Sequence, residues 1–189
     1  MSLSKITTSL WSNDTAEEAA KFYVSVFGGA PASPNNPDPA ATSAITSTTY
    51  YTSAGQETHK HEPGSVMTVS FTLQSHPFVT INGGPHFKFN QAISLQVICE
   101  DQAELDYFWE KLGEGGDEKQ ARCGWLADRW GLSWQVVPKQ YLRIVEEGTK
   151  EGAKEEDKEG YGRALEKLLE MKKLDIEQLE RAFRGENKG

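Results

Sequence analysis

The sequence is poor in cysteine, in long hydrophobic runs and in positive charge, and each shortage excludes a class of protein. Its two cysteines, Cys99 and Cys123, cannot make a disulfide framework or a zinc site built on cysteines. No apolar run approaches the roughly 20 residues that a bilayer span needs, and the first residues show no signal-peptide core. The 28 acidic residues outnumber the 20 basic ones, which argues against nucleic acid or an anionic membrane as a partner. We therefore expect a cytoplasmic protein.

A glycine-rich hinge is the most distinctive stretch that is present. Asn82-Gly83-Gly84-Pro85 cannot continue a strand, because Asn and Gly tolerate positive φ and Pro85 has no N–H to give to a sheet. Apolar and polar residues alternate on either side, over 78–81 before it and 86–89 after it. This alternation is typical of strands, so the hinge is predicted to join two strand-containing segments.

The two segments look like copies of one unit. Four landmarks of the first segment return 87 positions later in the second: Ile6 as Ile93, Asp14 as Asp101, Ala16-Glu17 as Ala103-Glu104, and Gly28-Gly29 as Gly115-Gly116. Each copy reads as a strand, a capping box, an amphipathic helix and a glycine stop. A constant offset over several landmarks favours an internal repeat.

The remaining segments complete the predicted outline. Proline and asparagine over 31–40 predict an exposed loop. The second copy ends in a predicted hairpin, 120–127 with 132–137, around the turn Asp128-Arg129-Trp130-Gly131. From Glu146 the composition shifts to Glu, Lys and Gly, which predicts a solvated linker before two amphipathic helices. The predicted domains are a first module over 1–90, a second over 91–145, and a linker with a helical extension over 146–189.

Three stretches carry a resemblance to a known family: NGGPHFKFNQAIS at the hinge, CEDQAELDYFWEKL in the second helix and CGWLADRWGLSWQVVP in the final hairpin. Over about residues 5–145 the chain resembles the PhnB-like proteins, which are labelled 3-demethylubiquinone-9 3-methyltransferase domains. They belong to the vicinal oxygen chelate (glyoxalase, bleomycin-resistance and dioxygenase) superfamily. The resemblance implies an α+β fold of two tandem βαβββ modules, here with C-terminal helices, in which each sheet curls around a cavity. It also implies a homodimer.

The resemblance also indicates where a metal would be held. Metal-dependent members of the superfamily place a histidine early in the first strand of each module, at the positions of Thr7 and Ser94 here. Neither hydroxyl ligates a divalent ion as well as histidine, cysteine or carboxylate does. We therefore expect no metal, and no cofactor is predicted.

Histidines and cysteines offer few catalytic candidates. His86 lies in the hinge motif and could act as a general base near neutral pH, although a loop-packing role explains it as well. His59 and His61 form an H-x-H that reads as solvated loop rather than a metal site. Cys123 could be a nucleophile if a base or cation activated it, but a small buried residue is the commoner case.

Aromatic and amide side chains suggest a ligand pocket. Trp125, Trp134, Phe87 and Phe89 lie on predicted strands of the hinge and the second module, and small-molecule cavities are mostly apolar with a few polar groups. Gln96 and Gln135 could supply hydrogen bonds to the ligand. Core packing explains the aromatic residues equally well, so both interpretations stay open.

Three functions are compatible with this outline. The first is a metal-free homodimer that binds a small, partly aromatic molecule. The second is an enzyme, either a metal-dependent lyase, isomerase or dioxygenase, or a methyltransferase as the family label says. A Rossmann-type methyltransferase needs a glycine-rich turn between a strand and a helix, whereas Gly28-Gly29 and 113–116 follow predicted helices. The third is a dimerisation module with a filled core.

Overall fold

The computed structural model describes residues 5–186 and divides the chain into two compact units, Met1–Lys88 and Phe89–Gly189. Residues 1–4 and 187–189, which the predicted first module and helical extension include, lie outside the described residues. One unit holds a four-stranded sheet and the other a three-stranded sheet, each with helices. The predicted α+β class, with two tandem modules and C-terminal helices, is confirmed.

The first unit is a βαβββ module with two short additional helices. Its elements are β1 (Thr8–Ser12), α1 (Ala16–Gly28), α2 (Pro39–Thr42), β2 (Ala44–Tyr50), α3 (Gln56–His59), β3 (Val66–Leu73) and β4 (His76–Asn82). The strand order is β1-β4-β3-β2, and β1 pairs in parallel with β4 while the other pairs are antiparallel. A parallel pair needs a crossover, which α1 and the strands after it provide.

One face of this sheet packs against α1. Alternate strand residues such as Leu10, Val69, Phe71 and Phe78 are buried, and the ring of Tyr23 from α1 stacks on Phe71 with centroids 6.3 Å apart. Successive strand side chains point to opposite faces, so the residues between these lie on the face turned away from the helix. That face is rich in small hydroxyl residues and is partly exposed.

The second unit repeats the plan with one strand fewer. Its module consists of β5 (Leu95–Cys99), α4 (Gln102–Gly113), a 3₁₀ turn (Glu118–Gln120), β6 (Trp125–Ala127) and β7 (Ser133–Pro138). The order is β5-β7-β6, with β5 and β7 parallel. The prediction of three strands after the helix is therefore corrected to two in the described residues, because the chain between Gly113 and Trp125 holds only the 3₁₀ turn.

The repeat is visible in the strand bounds. Thr8–Ser12 and Leu95–Cys99 lie 87 positions apart, and each pairs in parallel with the last strand of its own module. The structure supports the internal duplication that the sequence suggests, since the matching strands hold the same place in each sheet.

The capping boxes differ between the two copies. In the second, Asp101 accepts from the amide of Glu104 at 2.9 Å, while the Glu104 carboxylate accepts from the amide of Glu100. In the first, the predicted Asp14 cap is wrong: Asp14 has φ 59°, and Thr15 is the N-cap with no side-chain hydrogen bond. The side chain of Asn82 caps α1 instead, since its Oδ1 accepts from the Ala16 amide at 2.9 Å.

The hinge is not flanked by a second strand. Residues 83–94 are outside the named strands, so the strand predicted over 86–89 is wrong. The indole of Trp11 packs against the hinge, and its Nε1 donates to the Gly84 carbonyl at 2.8 Å. A Cβ on Gly83 would lie 2.1 Å from the Trp11 ring. The turn therefore needs glycine for close approach as well as for its conformation.

Two segments predicted to be exposed loop or linker contain helix or buried residues. In the proline-rich stretch over 31–40, Asn36 and Pro39 are buried and α2 begins at Pro39. The predicted linker from Glu146 lies within or beside helix α5 (Lys139–Thr149), which is followed by α6 (Glu155–Leu169) and α7 (Ile176–Arg184). The helical extension therefore begins directly after β7.

The extension packs as three helices and returns to the second module. Between α6 and α7, the carbonyls of Met171 and Lys172 accept from the amides of Cys123 and Gly124 at 2.7 and 2.8 Å, and Lys173 pairs with Asp106 of α4 at 2.7 Å. These bonds make 171–173 a strap against the second module. Among residues 5–186, no helix is both long and apolar enough to cross a bilayer.

Replacing Asn82 by alanine should destabilise the first unit by about 2–4 kcal/mol, because the buried amide of Ala16 and carbonyl of Val66 lose their partner. Urea unfolding measures the change. The control Asn13→Ala removes an exposed amide and should stay within about 0.5 kcal/mol. Equal effects of the two substitutions would show that the Asn82 side chain does not hold α1 in place.

Candidate functional site

Three of the predicted ligand residues form one row across the second sheet. The strand register pairs Gln96 with Gln135 and Gln135 with Trp125. Paired residues in neighbouring strands point to the same face. Two carboxamides and an indole therefore lie side by side on one face of the sheet.

This face is turned away from α4, and we call it the far face. Leu126, the residue after Trp125, lies against α4, because a Cβ built on Gly113 would be 3.9 Å from Leu126 Cδ2. Side chains alternate along a strand, so Trp125 points away from that helix. The far face is thus the side of the sheet that α4 leaves uncovered.

The row carries polar groups whose hydrogen-bonding capacity is only partly used. Gln135 is half-buried and its Nε2 donates to the Ser94 hydroxyl at 2.7 Å, which fixes the orientation of the amide. Gln96 is exposed and Trp125 is half-buried. An amide both donates and accepts, and an indole offers a flat apolar surface with one N–H. This arrangement suits a flat ligand with polar atoms at its edge.

Trp134 does not belong to this row. The register pairs it with Leu95 and Leu126, which places it on the α4 face, and it is only 2% exposed. Its Nε1 donates to the carboxylate of Asp128 at 2.9 Å. The expectation that Trp134 lines the ligand pocket is corrected, because its indole is part of the core and its N–H is already bonded.

The hinge aromatics lie outside the paired strands that form the row. Phe87 is 67% exposed and contacts Trp11 edge-to-face, with centroids 4.9 Å apart. It belongs to the first unit, which ends at Lys88, whereas Phe89 begins the second unit and is half-buried. His86 is exposed beside them. None of the three lies on a strand, so their assignment to a site stays a prediction.

The H-x-H pair forms a stack with Tyr51 instead of converging on one point. The rings of His59 and His61 lie 4.5 and 4.3 Å from that of Tyr51. His59 Nδ1 accepts from the His61 amide at 3.1 Å, and its Nε2 lies 3.2 Å from the Ala54 carbonyl. Both nitrogens of His59 are therefore engaged, which leaves no lone pair for a metal.

The cysteines occupy different environments. Cys99 is fully buried, and burial, with Glu104 and Asp101 nearby, raises the pKa of its thiol. A thiol in this state is a core residue and not a nucleophile. Cys123 has φ 51° and its amide is held by the strap. Its sulfur lies 3.9 Å from the Leu169 carbonyl, so the residue serves the contact with the extension.

The described residues form neither a metal-ligand cluster nor the glycine turn of a Rossmann cofactor site. Among residues 5–186, no three side chains of His, Cys, Asp or Glu converge as a metal site would require. At the family's two histidine positions, Thr7 is exposed and the Ser94 hydroxyl accepts from Gln135. Gly28 and Gly113 end α1 and α4, so neither glycine lies in the strand-to-helix turn that a Rossmann cofactor site uses.

Asp128 is the important polar residue that the sequence reasoning missed. It is buried, and its carboxylate accepts from the amides of Trp130 and Leu132 as well as from the Trp134 indole. The signal was present in the stretch from Asp128 to Gly131, since Asp at the start of a turn commonly bonds the amides that follow. That stretch predicted the turn but not its bond to the core.

A family model and one solved structure carry the same family description. The family model described as 3-demethylubiquinone-9 3-methyltransferase matches residues 4–137. The PhnB protein of Bacillus cereus, which has the provisional description 3-demethylubiquinone-9 3-methyltransferase, is 32% identical. Its structure superposes with a TM-score of 0.54 over 71% of this chain and 99% of its own. No curated protein matches.

Two further solved structures are similar at lower levels. A Staphylococcus aureus protein is 28% identical over 71% of this chain and 96% of its own, with a TM-score of 0.29. A Pseudomonas aeruginosa protein is 17% identical over 72% of this chain and 98% of its own, with a TM-score of 0.49. The family model ends at residue 137, so the matched region stops before the helical extension.

Replacing Asp128 by alanine should cost about 2–4 kcal/mol of stability, because the buried amide of Leu132, the part-buried amide of Trp130 and the buried Trp134 indole lose their acceptor. Thermal and urea unfolding, followed by tryptophan fluorescence, measure the loss. The exposed Asp38, which accepts from the single amide of Ala41, supplies the control: Asp38→Ala should cost about 1 kcal/mol or less. A change at Asp128 no larger than this would contradict its role as an anchor of the core.

Proposed function

The chain belongs to the 3-demethylubiquinone-9 3-methyltransferase domain family of PhnB-like proteins, and from this premise we propose that it binds a small, partly aromatic molecule. Its ligand lies on the far face of the second sheet. The protein acts as a metal-free homodimer of the glyoxalase and bleomycin-resistance type.

The row of Gln96, Gln135 and Trp125 is the observation that supports this proposal. Strand pairing aligns the three side chains on one face, and the bond from Gln135 to Ser94 holds one amide in place. An oriented amide beside an indole suits a planar ligand with polar edges, because small-molecule sites combine apolar surface with a few placed polar groups. Trp134 is excluded from the ligand site, because it lies on the other face and bonds Asp128.

The proposed ligand is bound by stacking and hydrogen bonds, because the side chains at the family's metal positions are poor metal ligands. Thr7 and Ser94 carry hydroxyls where metal-dependent relatives carry imidazoles, and a hydroxyl that accepts from an amide has little capacity left for an ion. We assign no catalytic step to the chain. His86 remains the candidate general base if a reaction is found, since it is exposed beside the hinge aromatics.

The proposed dimer would cover apolar side chains near the edge strand β5. Ile98 on the far face of β5 is 53% exposed, and Ile93 just before the strand is also exposed. β5 is an edge of its sheet, and exposed edges and apolar residues are commonly covered by a partner. A second copy of the chain is the partner that the proposal assigns.

A screen of aromatic and quinone-like compounds should yield at least one compound that raises Tm and changes tryptophan fluorescence. Gln96→Ala removes an exposed amide from the row. The Kd of that compound should rise about tenfold, which is the effect of one lost hydrogen bond. Gln91→Ala, an equally exposed glutamine outside the row, should leave its Kd unchanged. The assigned site would be contradicted if no compound of the panel bound, or if the two variants bound the compound with equal affinity.

Two further titrations separate this proposal from the enzyme alternatives. Calorimetry with S-adenosylmethionine is expected to give no binding heat, and a saturable isotherm would favour the methyltransferase instead. Elemental analysis of protein purified without chelator or affinity tag is expected to find less than one metal ion per chain. A stoichiometric metal would favour the metal-dependent lyase, isomerase or dioxygenase.

Light scattering after size exclusion should give twice the mass of the 21.0 kDa chain. Ile98→Glu should shift the protein towards monomer, because an uncompensated carboxylate in an apolar interface must be desolvated. Leu169 on α6 is similarly exposed, so Leu169→Glu is the matched control and should remain dimeric. A wild-type monomer, or an Ile98→Glu dimer of unchanged stability, would contradict the assigned interface.

A further inference from the structure

A cavity lies on the α4 side of the second sheet, which is the side opposite the far face. Its volume is about 450 Å³. It lies between the C-terminal end of α4, the loop over 114–118, strand β6 and the strap over 171–173, and we call it the α4 cavity. Trp109 and Leu126 supply its apolar wall. This volume is within the range of small-molecule sites.

Glycines keep the cavity open. Gly113, Gly115 and Gly116 line it and contribute no side chain. A Cβ on Gly116 would lie 2.0 Å from the Ala127 carbonyl oxygen, and Gly115 has φ +75°. The loop therefore needs glycine to pass close to β6. At Gly113 a Cβ would meet only Leu126, at 3.9 Å, so the space there can accept a side chain.

The unpaired charges around the cavity are mostly negative. Two of the charged lining residues are already matched: Glu114 pairs with Arg129 at 3.3 Å, and Lys173 pairs with Asp106 at 2.7 Å. In the part of the chain that the structure describes, Glu110, Glu118 and Lys172 form no ion pair. Asp117 also lines the cavity.

Asp117 keeps its charge over the physiological pH range. Hydrogen bonds from the Gln120 side chain and the Lys119 amide, at 3.2 and 3.1 Å, hold the pKa of its carboxyl below the usual value. Apart from the two matched residues Glu114 and Lys173, the charged lining residues are thus three carboxylates, of Glu110, Asp117 and Glu118, and one ammonium group, of Lys172. A ligand that enters beside Trp109 experiences a negative field, which favours positive charge.

We propose that the α4 cavity binds a flat organic cation, with its aromatic ring against Trp109 and its positive charge towards Glu110 and Glu118. A cation beside an indole gains from the ring quadrupole, and the nearby carboxylates add to this attraction. The apolar wall of Leu126 suits the ring of such a ligand. The proposal concerns a different site and a different ligand class from those of the far face.

The helical extension completes this cavity. Lys172 and Lys173 belong to the strap between α6 and α7, and the carbonyl of Lys172 accepts from the amide of Gly124. The family match ends at residue 137. The cavity wall therefore depends on a segment beyond the matched region, so the site is a feature of the extended chain.

Calorimetry on the full chain with three planar probes tests the charge preference. N-methylquinolinium is the cation, quinoline its neutral analogue at pH 7.5, and naphthalenesulfonate the anion. We expect the neutral ring to bind about tenfold more weakly than the cation and the anion to give no binding heat. Equal affinity for all three probes, or no binding of the cation at millimolar concentration, would overturn the proposal.

Two variants test the location. Gly113→Leu places a side chain in the cavity at a helical position that tolerates it, and it should abolish cation binding with Tm preserved. The double variant Glu110→Gln and Glu118→Gln should bring the affinities for cation and neutral ring close together. The matched double variant Glu155→Gln and Glu156→Gln on α6 makes the same charge change elsewhere and should bind as wild type does.

The far face supplies the final control. Gln96→Ala should leave cation binding unchanged, since Gln96 lies on the opposite face of the sheet from Leu126. If Gln96→Ala abolished cation binding while Gly113→Leu did not, the cation would occupy the far face, and the α4 cavity assignment would be wrong. Failure of either site can thus be recognised separately from the other.

Discussion

Burial of one sheet face against one helix is the constraint on which both modules depend. A strand alternates its side chains between two faces, so a helix packed on one side fixes which half of the residues becomes core. Phe71 under Tyr23 shows this in the first module, and Trp134 with Leu126 shows it in the second. The strand residues on the other face are not part of the core, so this face can carry hydroxyls, amides and an indole. In the second module this division separates a structural tryptophan from the one that we assign to a ligand.

Buried polar side chains hold the turns against these cores through hydrogen bonds. Asn82 caps α1 through its Oδ1, bonds the Val66 carbonyl through its Nδ2, and accepts from the Tyr51 hydroxyl at its own carbonyl. Asp128 performs the corresponding task in the second module, where its carboxylate bonds two turn amides and an indole. A buried amide or carboxylate is costly unless its bonds are complete. Each of these residues therefore permits little variation in the conformation of the chain around it.

The sequence was sufficient for features that local spacing determines. The constant offset predicted the duplicated unit, and Gly83-Gly84-Pro85 predicted the end of β4. It was insufficient where partners are distant in sequence: the cap of α1 comes from Asn82 rather than from Asp14, and the strap returns to Cys123 from beyond α6. The sheet face on which Trp134 lies could not be predicted from the sequence either, because the alternation of side chains between the two faces is interrupted. Cys123 and Gly124 both have left-handed backbone conformations, and the turn at Asp128 separates the two strands of the hairpin. Of the predicted ligand residues, only Gln96, Gln135 and Trp125 are aligned by strand pairing.

The two faces of the second sheet can be distinguished by hydrogen exchange at the indole N–H groups, followed by NMR. Trp134 donates to a buried carboxylate, so its indole proton should exchange only through large-scale unfolding. Trp125 is half-buried on the far face, and its indole proton should exchange orders of magnitude faster and be slowed by a bound ligand. Equal protection of the two protons, or rapid exchange at Trp134, would contradict the assignment of one tryptophan to the core and the other to the ligand.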